Sequence, residues 1–515
     1  MTPVKKSLYL FNLLILISFM LLSHFFPMAT KELFIFSFCF YLIEGIYFHI
    51  KKETNLVIFL IFLQGVLLKL FYVSYTGCYD RQHDIGHFSN DGGRGHFEYI
   101  SYIFTHHTLP FFHQPPLLPM HTPPLHHILS AIFMKAGFSL EALQYISVVQ
   151  SLGISLLSFY ILKPLITKTN TCYLLAGLCS FFPFLTLLSG SLNNDVLFTL
   201  LAIASFFFFL RFLQTSQKKN FILSGILLGV AGLTKFTALS IYYGVLAFYI
   251  LAFISKKIAF KKMVKQVSFY TCLSMPLIQL WPVYNYFKWG IYNPLKGHNW
   301  GHMGSWKETL SLWFSGYNPF LHLKETIFDK YQYVGNYSLF ERLGPIFSPL
   351  SHPFFLTGNL QDLQIPEYNI WLGLIKSMLF DEYKLFKLGA TFLHTIGFDL
   401  SVLLLILTKI LFLFIVISAF KISFKTPCTL FCASNIVIAL LSFIYFNLTN
   451  PVWSACAFRY IVYTFPCFCY LGISYYQEVF KEVSGKKYFF KQIIDKALLG
   501  FVMISFLIYT VLGLL

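Results

Sequence analysis

Histidines and carboxylates crowd into one stretch of the chain, and their side chains could support acid–base chemistry. Nine of the 16 histidines lie between residues 83 and 127. The stretch opens with Asp80, His83 and Asp84, and it closes with the motif His121-Thr122-Pro123-Pro124-Leu125-His126-His127. A carboxylate such as Asp84 could take the proton of an acceptor hydroxyl group, while nearby imidazoles tune or assist it.

Two other interpretations of this stretch stay open. Imidazole and carboxylate groups are also ligands for zinc and similar ions, so a divalent metal site is one alternative. The adjacent pairs His106-His107 and His126-His127 do not favour it, because consecutive residues of a helix point about 100° apart. The other alternative is a solvated polar loop without a specific role.

Three further polar positions adjoin apolar segments. Asn194-Asp195 opens a hydrophobic run, where Asp195 either caps a helix or takes part in a site. Lys235 lies between two apolar runs, so its ammonium group either extends to the membrane surface or holds a lipid phosphate. Arg459 favours phosphate binding, because a guanidinium group can donate two parallel hydrogen bonds to such an anion.

The composition places these residues in a membrane protein. Of 515 residues, 57% are hydrophobic and only 11% are charged, and the mean hydropathy is +0.66. Soluble domains average about 25% charged residues. Apolar runs such as 8–26, 56–73 and 401–419 are long enough to cross a hydrocarbon core about 30 Å thick. Because backbone polar groups in lipid must pair within their own segment, these runs predict α-helices.

The distribution of lysines predicts how the helices cross the membrane. We expect an all-α polytopic bundle of about thirteen transmembrane helices, at 8–26, 33–50, 55–74, 142–162, 171–190, 195–213, 220–235, 236–254, 267–284, 396–419, 427–446, 457–475 and 493–514. With the N-terminus inside, lysines cluster in the inner loops and are scarce in the short outer ones, as the positive-inside rule requires. The formal charge of +17 therefore indicates topology and not a nucleic-acid partner.

Two long segments fall on the predicted outer side, at 75–141 and 285–395. Each contains apolar patches typical of helices that lie along the membrane interface, at 97–104, 125–136 and 370–379. The predicted organisation is therefore three N-terminal spans (1–74), a first extracytoplasmic loop (75–141), a transmembrane core (142–284), a second extracytoplasmic loop (285–395) and C-terminal spans (396–515).

The order of these motifs resembles glycosyltransferase family 39, which includes the protein O-mannosyltransferases and the bacterial aminoarabinose transferase of lipid A. The motifs are His83-Asp84-Ile85-Gly86-His87-Phe88, the His121–His127 motif, Asn194-Asp195, Thr234-Lys235 and Phe458-Arg459-Tyr460. The resemblance extends from about residue 75 to residue 475. Each motif alone is weak, but the ordered set lies on one predicted side of the membrane.

The resemblance implies a GT-C fold and a donor in which a sugar is linked to polyprenyl or dolichyl phosphate. It implies that Asp84 is the catalytic base and that Lys235 and Arg459 hold the donor phosphate. The family's usual Asp-Glu pair reads His83-Asp84 here, so Asp80 is the alternative base. The residues implied to bind substrate are His83, His126, His127, Asn194, Asp195, Lys235 and Arg459.

We therefore expect a membrane glycosyltransferase whose partners are a lipid-linked sugar donor, membrane lipids and an acceptor that is a protein, lipid or glycan. The expected location is the cytoplasmic membrane of a bacterium, with the site on its outer face. The alternative is a polytopic transporter of a small polar or ionic solute. Transporters commonly bind substrate near the midplane between repeated halves, whereas here the polar residues crowd one side and no repeat is evident.

Overall fold

The computed structural model describes residues 3–78, 95–109, 122–289, 370–380, 392–449, 457–481 and 486–514. Within these ranges all regular structure is helical. The helices are α1 Pro3–Phe25, α2 Thr30–Ile50, α3 Thr54–Tyr75, α4 His96–His106, α5 Leu125–Lys135, α6 Leu140–Leu162, α7 Thr169–Phe181, α8 Pro183–Ser189, α9 Asp195–Thr215, α10 Lys218–Gly232, α11 Ala238–Ile254, α12 Phe260–Trp289, α13 Ile370–Phe380, α14 Phe392–Ile422, α15 Pro427–Thr449, α16 Phe465–Val479 and α17 Lys486–Leu514.

Nine candidate spans in the described ranges are long and apolar enough to cross a membrane. They comprise α1, α2, α3, α6, the pair α7–α8, α9, α14, α15 and α17. The other four predicted spans coincide with α10, α11, α12 and α16, of which α10 and α16 have only 15 residues each, against about 20 for a full crossing. The all-α polytopic architecture is thus confirmed, whereas the number thirteen is not.

Helix α3 lies at the centre of the bundle, and α1 and α2 lie at its edge. In the most apolar 18-residue stretch of α3, 89% of the residues are buried, compared with 11% in α1 and 17% in α2. The edge helices expose large apolar side chains such as Phe11, Phe36 and Ile43. Large exposed apolar faces are typical of surfaces in contact with lipid tails, so the exposure pattern agrees with an integral membrane protein.

Proline 183 divides one predicted span into α7 and α8. Proline has no backbone N–H group, so the helix ends at Phe181 and restarts with Pro183 at its first position. The break leaves carbonyl groups at the end of α7 without helical partners. Lys69, fully buried in α3, donates a 3.0 Å hydrogen bond to the carbonyl oxygen of Ser180. The short α8 then directs the chain toward the loop at 190–194 and the start of α9.

A second layer of helices covers one end of the bundle. The apolar patches predicted for the long loops form α4, α5 and α13. Helices α4 and α5 pack over a small core of their own, separate from the main one, which consists of Cys78, Ile100, Ala131, Leu140, Leu143 and Leu192. This core fixes α5 on the ends of α6 and α9, where the polar motifs converge.

The predicted span at 457–475 begins differently from the prediction. Two short 3-10 turns, Phe458–Tyr460 and Val462–Thr464, precede α16. The backbone N–H of Phe458 donates to the hydroxyl of Ser377 in α13 at 2.8 Å, and the hydroxyls of Tyr463 and Ser240 in α11 lie 2.6 Å apart. These contacts hold the first turn, which carries Arg459, against α13 and the second turn against α11.

Close packing of α10 on α12 depends on glycines. A Cβ atom built on Gly229 would lie 2.8 Å from Leu277 Cδ1, 2.9 Å from Leu277 Cβ and 3.1 Å from the carbonyl oxygen of Ser274. Gly225 and Gly232 are equally tight against Leu273 and Ile278. Stripes of small residues let membrane helices approach this closely.

We predict that Gly229→Val lowers the free energy of unfolding by about 1–3 kcal/mol, because the added methyl groups overlap α12. The matched control is Gly45→Val, where the nearest atom to a new Cβ is Leu60 Cδ1 at 4.0 Å. Thermal unfolding of both variants in the same detergent measures the difference. Equal midpoints for the two variants would show that the α10–α12 contact is not tight.

Candidate functional site

Side-chain donors from several helices hold the loop at 190–194. Gln144 Nε2 donates to the carbonyl oxygen of Gly190 at 2.8 Å, and Ser147 Oγ donates to that of Ser191 at 2.6 Å. His126 Nε2 donates to that of Leu192 at 2.7 Å. All three side chains are buried. Buried carbonyl groups outside a helix need such partners, so α5 and α6 fix the path of the loop into α9.

The same region connects to the loop that follows α10. Asn194 Nδ2 donates to the carbonyl oxygen of Thr234 at 2.7 Å, and the backbone N–H of Leu125 donates to that of Leu233 at 3.0 Å. The start of α5, the start of α9 and the end of α10 therefore meet at one point. The predicted site residues His126, Asn194 and Lys235, far apart in sequence, are brought together here.

Asp195 and Lys235 form an ion pair at this point. The side chain of Asp195 is 3% exposed and that of Lys235 is 17% exposed. The cap of α9, Asn194, makes no side-chain capping bond, and Asp195 lies in the first helical turn. The contact with Lys235 shows that Asp195 does more than interact with the helix dipole, and that Lys235 is not simply reaching for the membrane surface.

Tyr460 joins Arg459 to this ion pair. Lys235 Nζ lies 4.9 Å from the centroid of the Tyr460 ring, and Arg459 Cζ also lies 4.9 Å from it. Arg459 NH2 donates to the Tyr460 hydroxyl at 2.9 Å. Cations at such distances are attracted by the ring quadrupole. The ring thus holds two cations from opposite parts of the chain beside one carboxylate.

An imidazole pair lies beside this cluster. His96 Nδ1 and His127 Nε2 are 2.7 Å apart, and their rings are nearly coplanar, with an angle of 7° between them. The ring of Tyr99 stacks on His127 with centroids 4.1 Å apart. His127 Nδ1 is buried and has no hydrogen-bond partner among the described residues. Helices α4 and α5 are therefore joined by a polar contact within an apolar surrounding.

Burial keeps the imidazole groups of His126 and His127 neutral. Desolvation lowers the pKa of His126 to about 4, although the hydrogen bond to the Leu192 carbonyl and the charge of Asp195 oppose this shift. Desolvation, with the neighbouring His96 and His126, also lowers the pKa of His127 well below its usual value. At neutral pH the Nε2–H group of His126 acts as a donor to a carbonyl group, and neither residue supplies positive charge to the site.

The predicted catalytic residue lies outside the described residues. Asp84, its alternative Asp80 and the binding residue His83 all fall in 79–94, so their roles stay predictions. Of the predicted residues that the structure describes, His126, His127, Asn194, Asp195, Lys235 and Arg459 fall into one region.

Two contributors had no role in the sequence-based prediction. Tyr460 belongs to the motif Phe458-Arg459-Tyr460, but no function was assigned to it. An aromatic residue next to an arginine is a sequence signal for a cation–π contact. His96 was one of many loop histidines, and nothing in the local sequence indicates that it pairs with His127. As for a metal ion, the described part of the chain contains no group of three or more His, Cys, Asp or Glu residues suited to one.

These features define an all-helical integral membrane protein with a buried, charged site where several helix ends meet. Residues 121–281 match the family model for dolichyl-phosphate-mannose-protein mannosyltransferases. The matched segment contains His126, His127, Asn194, Asp195 and Lys235. This match confirms the predicted resemblance to glycosyltransferase family 39 over residues 121–281, whereas the motifs His83–Phe88 and Phe458–Tyr460 lie outside it.

Two solved structures are similar to this chain at low identity. The apo oligosaccharyltransferase of Archaeoglobus fulgidus is 13% identical, with a TM-score of 0.47, over 88% of this chain and 55% of that protein. ArnT from Cupriavidus metallidurans, solved with undecaprenyl phosphate bound, is 12% identical, with a TM-score of 0.34, over 82% of this chain and 80% of that one. The chain thus spans about half the length of the oligosaccharyltransferase. No curated protein matches it significantly.

We predict that the stability of the protein falls as pH drops below about 6.5, in part through His126. Since the folded pKa is about 4 and an unfolded histidine titrates near 6.5, the unfolded chain binds more protons between these values. This stabilisation is complete above the unfolded pKa and is lost as pH falls through the folded one. In His126→Gln, the loss between pH 7 and pH 4.5 should be smaller by on the order of 2 kcal/mol.

Unfolding midpoints in detergent at constant ionic strength, measured across this pH range, test the prediction. The control is His106→Gln, which removes an exposed imidazole at the end of α4. The comparison uses the slope of the unfolding midpoint against pH, because a destabilisation that is independent of pH shifts the midpoint but not this slope. Identical slopes for the wild type and His126→Gln would contradict a neutral, buried His126.

Proposed function

We propose that this protein is a membrane glycosyltransferase that moves a sugar from a polyprenyl-phosphate or dolichyl-phosphate donor to an acceptor hydroxyl group. The acceptor belongs to a protein, a lipid or a glycan. The site lies on the extracytoplasmic face, and the membrane is the cytoplasmic membrane of a bacterium. The placement of lysines in alternate short loops supports this orientation.

One observation carries the proposal: Lys235 and Arg459 converge on the ring of Tyr460. Because each cation lies 4.9 Å from the same ring centroid, the two are at most twice that distance apart. We place the phosphate group of the donor within reach of both cations. The ammonium group acts as a point charge, and the guanidinium group offers a planar set of donors.

The location of the cations suits a lipid-linked phosphate. Lys235 follows the end of α10, and Arg459 precedes α16, so both lie at the ends of apolar helices. A donor whose chain lies among the helices presents its phosphate at this depth. Charged residues at such positions are costly in a membrane, and they are commonly retained for function.

The reaction follows from these charges. The bond between the anomeric carbon of the sugar and the phosphate oxygen breaks, and the electron pair leaves with the phosphate. Lys235 and Arg459 stabilise the negative charge that develops there. The acceptor oxygen forms the new bond to the anomeric carbon, and its proton goes to a carboxylate, for which we propose Asp84. Asp195, held by Lys235, and Asn194 orient the sugar or the acceptor, and His83, His126 and His127 line the site.

We predict that Asp84→Asn abolishes transfer and leaves donor binding intact, because the amide cannot accept the proton while the phosphate contacts remain. The purified protein is incubated with a panel of polyprenyl-phosphate sugars, and donor consumption and donor binding are measured separately. The control is Asp399→Asn, an exposed carboxylate at the start of α14. Full turnover by Asp84→Asn would transfer the base assignment to Asp80, and a wild type that consumes no donor would favour transport of a solute.

We predict that Arg459→Lys weakens binding of undecaprenyl phosphate about tenfold, which corresponds to about 1.4 kcal/mol, because the planar pair of donors is lost while the charge is kept. Lys235→Ala should weaken it at least as much and should also release Asp195 from its ion pair. Binding is measured as a dissociation constant with the sugar-free lipid. Lys135→Gln, an exposed change at the end of α5, should bind like the wild type. Unchanged affinity in both site variants would remove the phosphate assignment.

A further inference from the structure

A large apolar cavity lies among α7, α14, α16 and α17, apart from the charged site. Its volume is about 920 Å³. Its walls include Leu174 and Leu178 of α7, Ile415 of α14, Ile473 of α16 and Leu498 of α17. None of His126, Asp195, Lys235 and Arg459 lines it. The site described above therefore does not account for this space.

The length of the cavity matches one leaflet of a bilayer. Along α7 its lining runs from Asn170 to Phe182, which corresponds to about 18 Å at the rise of an α-helix. One leaflet contributes about half of a hydrocarbon core roughly 30 Å thick. The far end lies at Phe182 and Phe458, whose ring centroids are 6.1 Å apart. A lipid chain that enters beside Asn170 thus ends beneath the turn that carries Arg459.

The near end of the cavity opens beside a second, basic cavity. This one has a volume of about 420 Å³ and is lined in part by Lys163, Lys168 and Arg211. The two cavities share Ile166, Thr167 and Lys168 in their walls. In the part of the chain that the structure describes, none of these three cations forms a salt bridge. Helix α7 begins at Thr169, and its first N–H groups add to the positive potential.

The wall of the large cavity formed by α17 and the residues after α16 is less basic. Lys491 lies there, but its ammonium group donates to Asp495 at 2.6 Å, and Tyr476 also donates to Asp495 at 2.6 Å. Lys481 lies on the same wall and is exposed. This wall therefore has a smaller net charge than the basic cavity, whose lining includes three cations at the opening beside Lys168.

We propose that these two cavities together bind one anionic phospholipid from the leaflet opposite the glycosyl-transfer site. The phosphate lies between Lys163, Lys168 and Arg211 at the start of α7, and one acyl chain fills the apolar cavity. Basic pockets between transmembrane helices are suited to anionic head groups. The tail of the sugar donor does not account for the basic cavity, because its phosphate lies beyond the far end, at Lys235 and Arg459.

The test measures lipid binding to the full-length protein in detergent by native mass spectrometry. Phosphatidylglycerol, phosphatidylcholine with the same acyl chains, and undecaprenyl phosphate are titrated separately. We expect phosphatidylglycerol to bind at least tenfold more tightly than phosphatidylcholine. The triple variant Lys163→Gln, Lys168→Gln, Arg211→Gln should lose this preference and keep its affinity for undecaprenyl phosphate.

A matched triple variant distinguishes a specific lipid-binding site from nonspecific attraction to surface charge. Lys218→Gln, Lys219→Gln, Lys261→Gln removes the same charge from the same predicted face, at positions that line neither cavity. It should bind phosphatidylglycerol like the wild type. An equal loss in both triple variants would overturn the proposal, because surface charge alone would then explain the binding.

Filling the cavity tests the place of the acyl chain. Leu178→Trp should weaken phosphatidylglycerol binding about tenfold, and Ile473→Phe on another wall serves if the first variant does not fold. Unchanged binding in a folded filled variant would overturn the proposal. A filled variant that loses binding of undecaprenyl phosphate and keeps binding of phosphatidylglycerol would also overturn the proposal, because the cavity would then hold the tail of the sugar donor. These readouts do not depend on glycosyl transfer.

Discussion

The carbonyl groups of the loop at 190–194 lie in a buried region where water does not satisfy them, and this requirement organises the site. Each of three successive carbonyls accepts a hydrogen bond from a different side chain, Gln144, Ser147 or His126. A buried carbonyl without a partner costs about 1–3 kcal/mol. The loop therefore stays where α5 and α6 place these donors. Because Asn194 then reaches Thr234, the position of Lys235 depends on the same constraint.

The Asp195–Lys235 ion pair follows from this positioning of Lys235. Removing two charges from water costs several kcal/mol per ion, and attraction between them offsets this only when the geometry is good. The pair is therefore weak support for the fold and more readily explained as part of a site. The contact of Lys235 with the Tyr460 ring gives the ammonium group a second partner that carries no formal charge. In the proposed function, the donor phosphate takes the place of this weak partner and Asp195 keeps its contact with Lys235.

The sequence was sufficient to predict the helical membrane architecture and the group His126, Asn194, Asp195, Lys235 and Arg459. Long apolar runs depend only on local composition, which is why the helical membrane architecture was predicted correctly, whereas the orientation inferred from the lysines stays a prediction. The convergence on Tyr460 and the pairing of His96 with His127 depend on how α4, α5 and the 458–460 turn pack, and no local pattern encodes this. The span predicted at 457–475 was too long at its start because hydrophobicity alone does not distinguish 3-10 turns held by Ser377 and Ser240 from a helix.

The charge balance of the site favours the transition state of the proposed reaction over its ground state. The neutral His126 adds no charge, so Lys235, Arg459 and Asp195 together carry a net charge of +1 among the described site residues. A lipid-linked sugar phosphate is a diester with one negative charge, which this cluster balances. As the sugar leaves, the phosphate gains a second negative charge, and the attraction to both cations increases. Because this attraction strengthens only as the charge develops, it lowers the barrier of the chemical step instead of tightening donor binding alone.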